Sequence, residues 1–383
     1  MLSPTQTIIT GKKFNQLYPD SEVVKLTNLN NDYKEGLNVF DQEFIPNTVC
    51  WEGGLYCYFK KKFGPWFAYG KNKPTKIWTV TIPDDAKVVV TRDEIKVDKF
   101  ILSNMSELIT RDNCLESSKQ IGESLLRTPK EYLTYDFCLE VIEHNGGALV
   151  YIPKEHLTYE IYTKAVEQNG YVLGEIKCEY ITEKLCLNAI KQEGCAIEYV
   201  PHEFVTYDLC IVAVTQNGLA LEYIMEIYLT YEMCATAINQ NGMALEYVPS
   251  KFRTHDLFLL AVTQNGMSLE FVPHEFRTLE LCLVAVKQDG DALQYVPHEL
   301  QTSSLFLIAV RQNGKSLYFV PYIHKNKALC LEAVTQNGMS LRHVPHEFRD
   351  KEICSVSVKQ NKKSFDYVPA EIRDMEMWEK VMT

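Results

Sequence analysis

Ser268–Gly290, SLEFVPHEFRTLELCLVAVKQDG, is the stretch from which the fold can be read. Thr278 offers a hydroxyl to a backbone N–H of a first helical turn, and Glu280 puts a carboxylate in that turn, where the helix dipole favours negative charge. Leu281, Cys282, Ala285 and Val286 then form a single apolar stripe at helical spacing. Gly290 reads as the residue that closes the helix, because a left-handed position costs least without a Cβ. Beyond it, Ala292, Leu293 and Val296 are enough for a short second helix, and Pro297 disfavours a helical residue before it. His298-Glu299-Leu300 crosses to the next threonine. No two-residue alternation survives in this unit, so a strand reading fails.

The same unit recurs every 24 residues. Its glycines are Gly122, Gly146, Gly170, Gly194, Gly218, Gly242, Gly266, Gly290, Gly314 and Gly338, and Lys362 breaks the run. A hairpin of this size cannot bury its stripe alone, so a short fixed period marks a stack of units, a solenoid. The register extends back to Thr110. The chain is therefore expected to be mainly α: an α-solenoid of about eleven 24-residue helical-hairpin repeats over residues 110–383, with a degenerate capping repeat at 110–133 and a partial repeat at 374–383 carrying Trp378. Glu175, Lys177, Met225 and Asn326 depart from the consensus; neutral variation is the favoured reading of these positions, and a change in curvature or a local loop is the alternative.

Columns of the repeat assign packing roles. Cys114, Cys138, Cys186, Cys210, Cys234, Cys282, Cys330 and Cys354 share one position with Tyr162, Phe258 and Phe306, which marks an apolar site. Neighbours one repeat apart lie roughly 8–10 Å apart, too far for a disulfide. These thiols are expected to be reduced core residues. The Ala165-to-Ala333 column reads as the small partner in the core, and an aromatic column, Tyr199, Tyr223, Tyr247, Phe271 and Tyr295 among its members, as the large one. The glutamine column, Gln168 through Gln360, is expected beside the helix end, where amides can bond a neighbouring backbone.

Of the 383 residues, the whole chain carries a net charge of −11, yet residues 1–109 hold 14 Lys+Arg against 13 Asp+Glu, so the acidity belongs to the repeats. That balance argues against general affinity for nucleic acid or anionic membrane. No run of 18 apolar residues appears, and the start, MLSPTQTIITGKKFN, lacks the apolar core of a signal peptide. An intracellular protein without a membrane partner is expected.

Residues 1–109 read as a small α+β or mostly β domain. IWTVTI at 77–82 alternates as a half-buried strand does, and LYCYF, KVVVT and KFILS read as further strands. This segment contains no histidine, and Cys50 and Cys57 are its only thiols, so a Cys-His nucleophile pair or a four-ligand zinc site within it lacks partners. The loop Phe59–Pro74 interleaves lysines with aromatics. Lys60, Lys61, Lys62 and Trp66 are its candidate contacts to a partner, including single-stranded nucleic acid, with a solvated hairpin whose aromatics lie in the core as the favoured structural alternative. In the repeats, Arg253, Arg277, Lys325, Arg349 and Arg373 form a basic column interrupted by Gln301. It is a candidate partner-binding line, with pairing to Glu198, Glu222, Glu246 and Glu270 as the favoured structural alternative. His202, His274, His298 and His346 recur one repeat apart, too far for one ion to bridge, and are expected to face solvent.

The unit LFLLAVTQNGMSLEFVPHEFRT, Leu257–Thr278, resembles the family called domain of unknown function 4116. The resemblance covers about residues 110–383. Tandem copies are common in giant viruses of amoebae, mimivirus-like ones among them, and in some protists. It implies a helical repeat fold and a viral origin, with the host cytoplasm as the expected location and the virion as the alternative, and it supplies no activity. Gly36-Leu37-Asn38, Gly53-Gly54-Leu55-Tyr56 and Ile82-Pro83-Asp84-Asp85-Ala86 are similar to the leader domain that precedes helical repeats in such viral proteins.

The expected function is a non-enzymatic interaction scaffold or adaptor for an unidentified protein partner, with a host protein as one candidate, and with no catalytic, metal or cofactor site. The alternative is an RNA-binding or other nucleic-acid-binding solenoid that uses the basic column and the lysine-aromatic loop. An enzyme in the N-terminal domain is the third reading.

Overall fold

A computed structural model describes residues 8–27, 33–40, 42, 44–45, 55–60, 75–91 and 94–373. Two compact units divide the chain, Met1–Tyr180 and Ile181–Thr383.

The first unit opens with antiparallel strands β1 (Ile9–Thr10), β2 (Val23–Thr27), β3 (Gly36–Val39), β4 (Leu55–Phe59), β5 (Lys76–Thr81), β6 (Lys87–Val90), β7 (Ile95–Val97) and β8 (Lys99–Glu107), in the spatial order β1-β6-β7-β4-β2-β5-β8-β3. Among the described residues before 110, the one α-helix is Gly11–Leu17, so the N-terminal part is mostly β. The alternation in β5 decides its orientation. Ile77, Trp78 and Val80 are buried while Thr79 and Thr81 face out, and Trp78 Nε1 donates to Thr27 Oγ1 at 3.1 Å. Phe14, Cys57, Trp78, Val88, Ile95, Phe100 and Leu102 belong to one buried cluster.

Three repeats complete this unit, with α-helices Arg111–Gln120, Tyr135–His144 and Tyr159–Gln168. The second unit continues the same pattern from Glu183–Gln192 to Lys351–Gln360. Within each repeat a ten-residue α-helix leads to a six-residue 3₁₀ helix, such as Gly290–Tyr295, and from residue 134 onward this is followed by a three-residue 3₁₀ turn, such as His298–Leu300. Both stretches after the α-helix are 3₁₀ rather than α.

The predicted cap is present throughout: Thr278 Oγ1 accepts from Leu281 N at 3.3 Å, and the same bond opens the helices capped by Thr110 through Thr302. Where threonine is replaced, chemistry is kept. Asn326 Oδ1 accepts from Leu329 N at 2.9 Å and Asp350 Oδ1 from Ile353 N at 3.0 Å. Met225, at the consensus proline, holds φ −60° and ψ 139°, the geometry that proline takes at Pro201 (φ −54°, ψ 139°). These departures therefore leave the local backbone unchanged instead of introducing a loop. Lys362 also leaves the turn intact, since Lys362–Tyr367 is again a six-residue 3₁₀ helix. The partial repeat at 374–383, with Trp378, lies outside the described residues.

Packing follows the columns with one correction. Ala165, Ala189, Ala213, Ala237, Ala261, Ala285, Ala309 and Ala333 are completely buried, as are the column cysteines. The large core partner, however, is the aliphatic column of Leu173, Leu245, Leu269, Leu293 and Leu317. The aromatic column is half-buried to exposed, with Tyr199 at 39% and Tyr223 at 38% exposure. A phenol keeps its hydroxyl at a wet edge more cheaply than in an apolar interior. Burying each aliphatic side chain contributes about 1.5–3 kcal/mol, so the stack rests on this leucine–alanine–cysteine layer.

The glycines play a different part from the one expected. Among the described residues only Gly36, at φ 95°, is a glycine of positive φ, so the repeat glycines are not left-handed helix stops. They are needed for proximity. A Cβ on Gly242 would stand 2.5 Å from Ala261 O, a carbonyl of the next repeat's helix, whereas a Cβ on Gly147 would meet nothing closer than Asn145 Oδ1 at 3.4 Å. The helix ends where Asn or Asp turns extended: Asp289 takes φ −140° and ψ 115°, and its carboxylate accepts from Asp291 N at 2.9 Å to open the 3₁₀ helix.

Gly242→Ala is accordingly expected to cost about 1–3 kcal/mol, because backbone must move to admit the methyl. Gly147→Ala should be neutral or slightly stabilising, through reduced freedom of the unfolded chain. Urea unfolding of the two variants checks this, and equal losses would contradict the proximity argument.

Candidate functional site

The Gln-Asn-Gly edge is built from three side-chain roles at consecutive positions. Asn241 Oδ1 accepts from Met243 N at 3.0 Å and so caps its own 3₁₀ helix. Gly242 N is left pointing at the next repeat, where Gln264 Oε1 accepts it at 2.5 Å. The same glutamine turns its other end backward, Gln264 Nε2 donating to Gln240 O at 3.2 Å. This pair of bonds recurs at Gln216, Gln240, Gln288, Gln312, Gln336 and Gln360, so each amide ties its repeat to the one before it.

A polar groove of about 540 Å³ runs along this edge in the second unit. Glutamines Gln216, Gln240, Gln264 and Gln288 alternate in it with Asn217, Asn241 and Asn265, and carboxylates stand at the two ends, Glu193 and Asp289, in the asparagine column. Asn241 and Asn265 use Oδ1 for capping, and their Nδ2 groups have no acceptor among the described residues. The groove lies at the C-terminal ends of helices, where the dipole is negative. Its chemistry is that of amide donors between two anions.

The basic column does something else. Arg277 donates from Nε to Val272 O at 2.8 Å, from Nη1 to Tyr295 O at 2.7 Å and from Nη2 to Glu270 O at 2.9 Å. Arg253 and Arg349 repeat all three contacts, Arg373 bonds Val368 O at 3.0 Å, and Lys325 reaches His343 O at 3.1 Å. Even Gln301 donates to Val296 O at 3.0 Å. The column caps carbonyls at the C-terminal ends of 3₁₀ helices in its own repeat and the next. Among the described residues no ion pair joins it to Glu198, Glu222, Glu246 or Glu270, so the expected pairing is not made. Those carboxylates face the tyrosines instead: Tyr295 Oη donates to Glu270 Oε2 at 3.0 Å, and burial together with Glu270 pushes the Tyr295 pKa up. Spacing alone could not separate these cases, because a guanidinium in a periodic column suits a carbonyl and a carboxylate equally well.

Lys60 pairs with Glu22 at 2.7 Å on an exposed surface. Lys61, Lys62 and Trp66 lie outside the described residues. The histidines face solvent, as expected, and two lean toward the next repeat's glutamate, His274 Nε2 lying 3.9 Å from Glu299 Oε1 and His346 Nε2 3.7 Å from Glu371 Oε1. Among the described residues no group of three or more His, Cys, Asp or Glu is gathered as a metal site, and no helix is long and apolar enough to cross a membrane.

The sequence did not foretell the buried Lys25, which donates from Nζ to Tyr56 O at 2.7 Å and lies 4.7 Å from the centre of the Tyr33 ring. Burial lowers its pKa to about 8, against the opposing influence of Cys57 and Glu94. Burial raises the Cys57 thiol to about 12, so Cys57 stays protonated. Nothing in Val23-Val24-Lys25-Leu26-Thr27 distinguishes a buried lysine from a solvated one.

Five tandem matches to one family model, at residues 134–181, 182–229, 231–277, 278–325 and 326–373, cover most of the chain. The chain belongs to the domain of unknown function 4116 family (DUF4116). One DUF4116 unit spans about 48 residues and contains two of the 24-residue repeats, hence two α-helices. Residues 110–133 precede the first match yet share the repeat's α-helix, threonine cap and six-residue 3₁₀ helix. No curated protein and no solved structure matches the chain.

Two outcomes test this account of the edge. Gln264→Ala removes both inter-repeat bonds and leaves Gly242 N unpaired, an expected cost of about 1–3 kcal/mol. Amide exchange at Gly242 should accelerate with it, and unchanged exchange would show that the glutamine is dispensable. The second outcome concerns the thiols, since burial raises the pKa of Cys186, Cys210, Cys234, Cys282, Cys330 and Cys354 to about 11. At pH 8, alkylation mapped by mass spectrometry should label exposed Cys178 in the native protein and these six only after denaturation.

Proposed function

We propose that the chain is a non-enzymatic interaction scaffold whose binding face is the Gln–Asn edge of the repeats. The observation that carries this reading is the groove itself: an uninterrupted row of amides crossing several repeats, with donors that the fold does not use. Repeat arrays bind through such extended surfaces because each unit adds an equivalent contact to the last. The basic column is already engaged with carbonyls and the groove has carboxylates at its ends, which supports a protein partner over a nucleic-acid backbone. The family resemblance extends the proposal to a viral protein acting inside an infected host cell.

The test is hydrogen exchange on the full-length protein with and without host-cell lysate fractions, alongside electrophoretic shift with RNA across a salt series. The expected outcome is protection centred on Gln216 to Gln288 by a protein fraction, with no RNA shift at about 0.15 M salt. An RNA shift at that salt, weakened by Arg253→Ala and Arg277→Ala, would replace this reading with the nucleic-acid one.

A further inference from the structure

The spacing and charge of the groove identify what kind of polypeptide it would hold, an inference that rests on the scaffold reading and refines it. Consecutive asparagines stand one repeat apart. Neighbouring packed helices are separated by roughly 8–10 Å, so the unused Nδ2 donors of Asn241 and Asn265 recur at about that interval. A β-strand presents equivalent carbonyls every second residue, roughly 6.6–6.8 Å apart, and falls out of step with such a row. A polyproline II chain has three residues per turn at about 3.1 Å each, so its equivalent groups recur at roughly 9.3 Å. It advances one turn for each repeat. It also has no internal hydrogen bonds, which leaves every carbonyl free to accept from an amide.

Charge supplies the second constraint. Glu193 and Asp289 replace asparagine at two positions four repeats apart, and no lysine or arginine lines the groove between them. Asp289 Oδ1 is committed to Asp291 N at 2.9 Å, which leaves Oδ2 for a ligand, and the Glu193 carboxylate makes no capping bond. At three ligand residues per repeat, the two carboxylates are matched by cations about twelve residues apart. The absence of any aromatic or aliphatic side chain from the lining disfavours both a stacked sugar and a ligand held by apolar side chains. The two carboxylates disfavour phosphates.

We infer that the Gln–Asn groove binds a polyproline II segment of a partner protein, main-chain carbonyls to the asparagine amides, with lysine or arginine side chains twelve residues apart on Glu193 and Asp289.

The experiment is fluorescence anisotropy of the full-length protein with labelled 13-residue peptides of Pro-Pro-Ser repeats. One probe carries lysine at positions 1 and 13, a second has both lysines at adjacent central positions, and a third has glutamate at 1 and 13. Single-stranded RNA of similar length is the competitor. The expected result is saturable binding of the first peptide, at least about tenfold weaker for the third and several-fold weaker for the second. The double variant Glu193→Asn/Asp289→Asn should lower affinity for the first peptide about tenfold while leaving thermal unfolding unchanged, because it installs the residue that most other repeats carry. Equal binding of the first and second peptides, equal binding by wild type and double variant, or effective competition by RNA would overturn the inference. If no peptide binds while a lysate protein still protects this edge, the polyproline inference fails and the scaffold reading stands.

Discussion

The hydrogen bonds passed through one amide side chain hold the rest of the repeat structure in register. From Gly194 to Gly338 the glycine N–H that opens a six-residue 3₁₀ helix finds its acceptor in the next repeat, and a buried amide left unpaired costs as much as a hydrogen bond is worth or more. Gln264 answers Gly242 and returns a bond to Gln240 O, so two repeats are joined by a group with one acceptor and one donor end in use. Glutamate would lose the donor, and leucine both. The glycine is required by the same contact, because a Cβ on Gly242 would stand only 2.5 Å from Ala261 O.

Around that relay, the polar groups of the repeat are assigned to termini. Threonine serves the start of the α-helix, asparagine the start of the first 3₁₀ helix, and arginine its end. A unit with three helical pieces in 24 residues has many orphan N–H and C=O groups for its length, and dedicated caps are how such a short unit avoids their cost. The arginine column therefore contributes to internal satisfaction, and its charge is spread over carbonyls of two adjacent repeats.

What remains unused is informative because so much is used. The thiols of the cysteine column are buried and held in the protonated form, and Glu270 is bonded to the Tyr295 phenol. The Nδ2 donors of Asn241 and Asn265 stand out against this background, as do the two carboxylates that interrupt their column. Binding reads out such residual groups, since only they exchange water for a partner without breaking the fold.

Periodicity alone determined the 24-residue unit, the threonine caps, the first helix and its stripe, and the burial of the cysteine column, because each of these is a local or nearest-neighbour effect that a repeat writes out many times. The alternation of Trp78 and Val80 likewise placed β5, since a strand's two faces differ at every step. Tertiary structure decided the rest. Gly290 was legible as a position that admits only glycine, but a left-handed turn and a close approach demand the same residue, and only the neighbouring repeat tells them apart. The arginine column was legible as a line of cations, yet whether a guanidinium meets a carboxylate, a ligand or a carbonyl depends on which groups the stack brings within about 3 Å of it. The aromatic column and buried Lys25 failed to show themselves for a related reason: burial is a property of what the rest of the chain places over a residue, and no local pattern records that.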